Sequence, residues 1–154
     1  MKPVEVRRER IVSLPIEVVW QIIEPAITVP SWLPLADRVE LLSGKGLGRR
    51  QRMHAKWGGR QVAVEQVVTA YTPEALLTWK HVDEKTDGKA VRQLSKEVTL
   101  SVRLESIGPG TRVVLESRNM PASATAAVLL RLVAKRRIGK GFDLALAKLA
   151  AAGD

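Results

Sequence analysis

Period-two alternation opens the chain. Val4, Val6 and Val12 share one parity and Glu5, Arg7 and Glu9 the other, which predicts a half-buried antiparallel strand over 4–12. The period then changes. Ser13 is placed as a helix N-cap, Pro15 sits where a first turn tolerates the missing N–H, and Glu17 falls in that turn. Val18, Val19, Ile22 and Ile23 form an apolar stripe with Trp20 beside it, and the helix ends before Pro25. Residues 26–36 hold Pro30, Trp32 and Pro34, which leaves room for a short helical turn or a tight loop.

Alternation returns at Asp37. Val39, Leu41 and Leu42 read as a strand, broken by Gly44-Lys45-Gly46-Leu47-Gly48. A glycine run can cradle phosphate, but this one lacks the Gly-Lys-Ser/Thr ending and a following helix, so it reads as a mobile hairpin loop. Gln51, Met53, Ala55 and Trp57 then alternate with Arg50, Arg52, His54 and Lys56, and Gly58-Gly59 turns the chain into a strand over 60–71. His54, among arginines, is expected to be exposed. After the Thr72-Pro73-Glu74 turn, Leu77, Trp79 and His81 share a face. A polar hairpin around Asp87-Gly88 leads to a long strand over 91–106 with Val98, Leu100, Val102 and Leu104 inward. Gly108-Pro109-Gly110 makes the last turn, and residues 111–119 return with Val113, Leu115 and Ser117 on one face.

From about Ala122 to Ala151 there is no proline, and Leu129, Leu132, Val133, Ile138, Phe142, Ala145, Leu146 and Leu149 recur at helical spacing. This predicts one long helix. Gly139 and Gly141 each weaken its middle by about 1 kcal/mol relative to alanine, so a bend is expected there. A sheet with one apolar face has to cover it, and a single helix leaves residual space under a strongly curved sheet.

Length and composition narrow the class without naming a reaction. At 154 residues the chain suits a single domain over 1–154, and 45% apolar with 27% charged residues is a globular balance. No apolar run approaches the roughly 18 residues of a membrane span, and Met1-Lys2-Pro3-Val4 leads straight into charged sequence, so cytoplasmic residence is the expectation. With no cysteine there are no disulfides, thiolate metal sites or cysteine nucleophiles. The net charge of +9 invites an anionic partner, yet the cations are dispersed, and one tyrosine with one phenylalanine gives little for base stacking, which argues against nucleic acid.

Several motifs together resemble a known family. They are Ile11-Val12-Ser13-Leu14-Pro15-Ile16-Glu17-Val18-Val19-Trp20, Trp32-Leu33-Pro34, Gly46-Leu47-Gly48-Arg49, Thr72-Pro73-Glu74-Ala75-Leu76-Leu77-Thr78-Trp79 and Gly110-Thr111-Arg112-Val113-Val114-Leu115. In this order the chain resembles the SRPBCC superfamily, also called START-like or Bet v 1-like, and within it the polyketide cyclase/dehydrase and lipid-transport group. The resemblance implies an α+β helix-grip fold: a curved antiparallel sheet of about seven strands around a long C-terminal helix, with two short helices after the first strand. It also implies a small apolar or aromatic ligand, such as a lipid, quinone or polyketide-like ring, held between sheet and helix, with no cofactor.

Candidate site residues follow from parity and residue type. Trp32, Trp57 and Trp79 lie beside a break or on inward strand faces, where each offers a flat apolar wall and one N–H donor; core filling, the role assigned to Trp20, is the alternative for each. Met53, Leu100, Leu115, Ser117, Ile138 and Phe142 complete the expected lining. His81 is the titratable group suited to proton transfer near neutral pH from inside the sheet, and Arg92 has inward parity if the strand runs back without a bulge, as Lys96 would. His81 and Arg92 are the catalytic candidates for a cyclase-type alternative. A hydrogen-bonded histidine and a solvated strand end are the plain alternatives, and no histidine or carboxylate cluster suggests a metal. Arg131, Lys135, Arg136, Arg137 and Lys140 make the last helix basic, either as a solvated face or as a docking surface for an anionic membrane or a regulatory partner. A monomer or homodimer is expected.

Overall fold

The computed structural model describes residues 2–91 and 93–154. Strand β1 (Val4–Val12) is followed by helix α1 (Ile16–Ile23), a 3₁₀ turn (Ala26–Thr28) and helix α2 (Val29–Trp32). Strands β2 (Arg38–Ser43), β3 (Arg50–Trp57), β4 (Arg60–Thr72), β5 (Leu76–Thr86), β6 (Lys89–Ala90), β7 (Ser95–Ile107) and β8 (Gly110–Pro121) come next. Helix α3 (Ala124–Leu129), a π-helical turn (Leu130–Ala134) and helix α4 (Lys135–Ala151) close the chain. The strands form one antiparallel sheet in the order β1-β8-β7-β5-β4-β3-β2, with β6 an appendage of β5. This is the helix-grip arrangement.

Alternation fixes the two faces. Val6, Val12, Val64, Val68, Leu77, Trp79, Val102, Leu104, Val113 and Leu115 are buried inward. The outer face carries cross-strand ion pairs, among them Arg50–Glu65 at 3.2 Å, Arg103–Glu116 at 3.1 Å and Arg112–Glu105 at 2.8 Å. Exposed pairs of this kind contribute little individually, but they keep the outer face polar while the inner face stays apolar. Trp32, Leu33, Trp79, Phe142, Leu146 and Leu149 meet between sheet and helices in the main core. A smaller cluster of Val4, Leu130 and Ala134, with Ile138 against it, joins the start of the long helix to the sheet edge.

Four local expectations are corrected. The residue that caps α1 is Pro15, with an extended backbone and no side-chain cap bond, so Ser13 is not the cap. The stretch 91–106 is not one strand: β7 begins at Ser95, and its register with β8 shifts between Ser95 and Glu97. That bulge removes the parity argument for Lys96, which is exposed, while Arg92 lies outside the described residues. His54 is only half-exposed, because its Nε2 sits 2.5 Å from Glu40 Oε1 on the neighbouring strand.

The fourth correction concerns the long helix, whose irregularity is the π turn at Leu130–Ala134 rather than a break at the glycines. Gly139 and Gly141 are sites of close approach. A Cβ on Gly139 would stand 2.7 Å from the Arg8 guanidinium, and one on Gly141 would stand 2.6 Å from Leu35.

Candidate functional site

The inner face divides along its length. Toward α1 and α2 it is covered and mostly apolar, except for the buried Arg49, which bonds Glu24 at the end of α1. Toward the start of the long helix it carries a transverse polar row. Gln51 of β3 registers with Gln66 of β4, and Gln66 with His81 of β5. Farther across, Ser117 and Asn119 of β8 have the same inward parity, and Asn119 registers with Val98. Gln51, Gln66, Ser95, Ser117 and Asn119 are all buried. Polar groups in such a position are costly unless hydrogen-bonded.

Most of the row is satisfied internally. The Gln51 side-chain N–H donates to Gln66 Oε1 at 2.9 Å, and Gln66 Nε2 lies 3.2 Å from His81 Nε2 and 4.0 Å from Met53 sulfur. Ser95 donates to Asn119 Oδ1, and the Asn119 amide donates to Ser117 Oγ at 3.1 Å. Gln51 Oε1, Trp79 Nε1 and Trp32 Nε1 are buried with no hydrogen-bond partner among the described residues.

Burial sets the protonation of this face. It pushes the His81 imidazole down to about 4, so the ring is neutral at physiological pH. With Gln66 donating, the Nε2 lone pair is already engaged, which leaves His81 a hydrogen-bonded acceptor and a poor base. Glu84, which registers with inward Val64, has its carboxyl raised above the ordinary value by burial.

The other candidates separate by environment. Trp32 and Trp79 are each 1% exposed, and with Phe142 they take up the space under the helix. Leu115 and Ser117 are buried in the sheet, whereas Met53, Leu100 and Ile138 are half-buried along the polar half. Trp57 keeps its inward parity but is 40% exposed, because β3 ends there at the sheet margin. Arg137 lies over the Trp57 ring at 4.2 Å and bonds the Lys56 carbonyl, joining the β3 end to the start of α4.

Two shallow concavities lie on the outer face. The larger, about 500 Å³, is lined by Arg7, Glu9, Thr72, Leu76, Arg103 and Arg112. The smaller is flanked by Glu97, Thr99, Arg118 and Met120. On the inner face Met53, His81, Leu100 and Ile138 are only half-buried, so the polar half is the part of that face that water reaches.

A family model described as polyketide cyclase / dehydrase and lipid transport matches residues 3–153. The chain belongs to that family. Among solved structures, a protein from Thermus thermophilus superposes with a TM-score of 0.75 at 20% identity, covering 98% of this chain and all of that one. Major latex-like protein 151 of Panax ginseng gives 0.75 at 12% identity over 100% and 99%. A protein from Chromobacterium violaceum gives 0.65 at 15% over 96% and 95%. At these identities the likeness is one of fold. No curated protein matches the chain.

Sequence reasoning missed two features of the site. The first is the glutamine pair, whose signal was a polar residue of inward parity on each of two neighbouring strands. The second is Arg49, buried at 4% exposure and bonded to Glu24 Oε1 at 2.9 Å. Its partner lies 25 positions upstream, so no local pattern announces it.

Proposed function

We propose that the inner face binds a small hydrophobic ligand carrying hydrogen-bonding groups at one edge. Membership of the family supports a hydrophobic ligand in general terms. What carries the finer reading is that buried polar groups of the inner face, Gln51 Oε1 and Trp79 Nε1 among them, have no partner among the described residues. Each costs on the order of 1–3 kcal/mol when left unpaired, and a ligand that answers both recovers that. Met53, Leu100 and Ile138 supply the apolar wall. The test is native mass spectrometry of protein purified from its host, followed by tryptophan emission with fatty acids, quinones and fused-ring phenols. A retained compound of one of these classes, or saturable quenching by one, supports the reading. A clean mass together with unchanged emission across the panel sinks it.

The start of the long helix favours a second reading, docking to an anionic bilayer. Leu129, Leu132 and Val133 share a helix face and are exposed, Leu132 by 68%. Arg131, Lys135, Arg136 and Lys140 surround them without an acidic partner among the described residues. Apolar side chains that enter the headgroup layer, ringed by cations that meet anionic lipid at about 1 kcal/mol each, form an interfacial helix. Among the described residues no helix is long and apolar enough to cross a membrane. Co-sedimentation with vesicles of equal phosphatidylcholine and phosphatidylglycerol, reduced by Leu132→Ser and by added salt, supports docking. Equal recovery with pure phosphatidylcholine vesicles, or indifference to both changes, excludes it.

A further inference from the structure

Among the described residues Arg49 is the only basic side chain that is buried. It stands just before β3 on the inward parity, held by Val68, whose N–H donates to the Arg49 carbonyl at 2.9 Å. Its Nη1 donates to Glu24 Oε1 at 2.9 Å, and the Tyr71 hydroxyl reaches the same oxygen at 3.3 Å. Glu24 is a quarter exposed, so water shares its charge. Nε and Nη2 of Arg49 are buried and have no partner among the described residues.

Those two N–H groups lie along one edge of the guanidinium, the edge that grips a carboxylate through two parallel hydrogen bonds. A buried guanidinium with that fork unanswered is an expensive arrangement. Its neighbours are unanswered too. Val68 registers with Trp79, whose Nε1 is unpartnered, and Gln51 stands two residues along the same strand with Oε1 unpartnered. Three donors and one acceptor therefore occupy adjacent inward positions. They match a planar anion that accepts from the donors, beside a hydroxyl that donates to Gln51.

We propose that Arg49 anchors the carboxylate of an amphipathic monocarboxylic acid, whose apolar body lies along Met53, Leu100 and Ile138. This rests on the inner face being the ligand site. Lysine would not replace Arg49, because a point charge lacks the fork.

The experiment measures tryptophan emission titrations with naphthoate and decanoate, each against its uncharged primary amide. The folded protein is expected to bind at least one acid about tenfold or more tighter than its amide, and Arg49→Met to erase that preference while leaving amide binding in place. Arg49→Lys should recover less than half of it on a logarithmic scale. Because Arg49→Met leaves Glu24 unpaired, an Arg49→Met/Glu24→Gln chain is measured alongside as the folded control. Acid and amide binding equally well, or a preference that survives in both Arg49→Met chains, overturns the anchor and leaves the inner-face reading standing. No binding of acids or amides overturns both.

Discussion

Gln66 and His81 face each other across β4 and β5 with their Nε2 atoms 3.2 Å apart, and the imidazole is held neutral there. The folded chain therefore refuses a proton that the unfolded chain accepts below about pH 6.5. Between about pH 6.5 and about pH 4 the unfolded state binds more protons, so stability falls as pH falls; above about 6.5 the effect is gone. Going from about pH 7.5 to about pH 5, the drop attributable to His81 is on the order of 2 kcal/mol. Urea midpoints at those two pH values should show a drop in the wild type that His81→Gln reduces by about that amount. Equal drops in both chains refute the assignment.

Glu84 has the opposite sign. Burial raises its carboxyl above 4.5, so the folded chain holds a proton that the unfolded chain has lost, and stability declines as pH rises through that window. Glu84→Gln should raise the urea midpoint at about pH 7.5 and leave it unchanged near about pH 4. A variant less stable at the higher pH would mean that the carboxylate has a native partner.

The two helix glycines look alike in sequence and should behave differently. A Cβ at Gly141 meets the branched end of Leu35, itself packed against the core, so Gly141→Ala should lower stability by about 1–3 kcal/mol through overpacking. At Gly139 the obstacle is the tip of Arg8, which is 45% exposed and pairs with Asp143 across 3.3 Å. That guanidinium can swing into solvent. Gly139→Ala should therefore be neutral, or stabilising by up to about 1 kcal/mol from helix propensity. Thermal unfolding of the two variants decides, and a larger loss at Gly139 contradicts the argument.

The same pair shows what the sequence could and could not convey. A glycine in a helical pattern signals either a weak point or a close approach, and only Arg8 and Leu35, far upstream in the chain, distinguish the two. Strand faces were legible because parity is a local property: Leu77, Trp79 and His81 share their face as the alternation requires. Parity fails at bulges, as at Ser95–Glu97, because one unpaired residue reverses every inference on its far side. The π turn at Leu130–Ala134 lies inside an unbroken helical pattern and carries no local mark. Trp32 fitted wall or core equally well by type, and its 1% exposure was not legible from parity because it lies on α2, outside the strands.

Trp57 and Arg137 latch the sheet margin to the start of α4 with the ring and guanidinium 4.2 Å apart. An exposed cation–π contact contributes about 0.5–1 kcal/mol, enough to bias a local opening without setting global stability. Arg137→Met should speed amide hydrogen exchange in 130–138 severalfold and leave the urea midpoint nearly unchanged. Acrylamide should quench Trp57 far more than Trp32 or Trp79, so Trp57→Phe should remove much of the quenchable emission. Unaltered exchange in 130–138 would show that the latch does not govern access to the inner face.

Gln51 and Gln66 allow a direct contrast between stability and binding. Removing one amide strands the other in a buried row, but replacing both with apolar groups of similar shape removes the hydrogen bond and the unanswered Gln51 Oε1 together. Gln51→Met/Gln66→Met should therefore be as stable as the wild type or more so. The offsetting loss is the donor to His81 Nε2, which limits the gain. If the row exists to meet a ligand, the same chain should bind its preferred acid about tenfold or more weakly, the pattern of a site that trades stability for recognition. Urea unfolding and emission titration on one preparation separate the outcomes. A marked loss of stability with undiminished binding would make the row a structural network and move the ligand elsewhere.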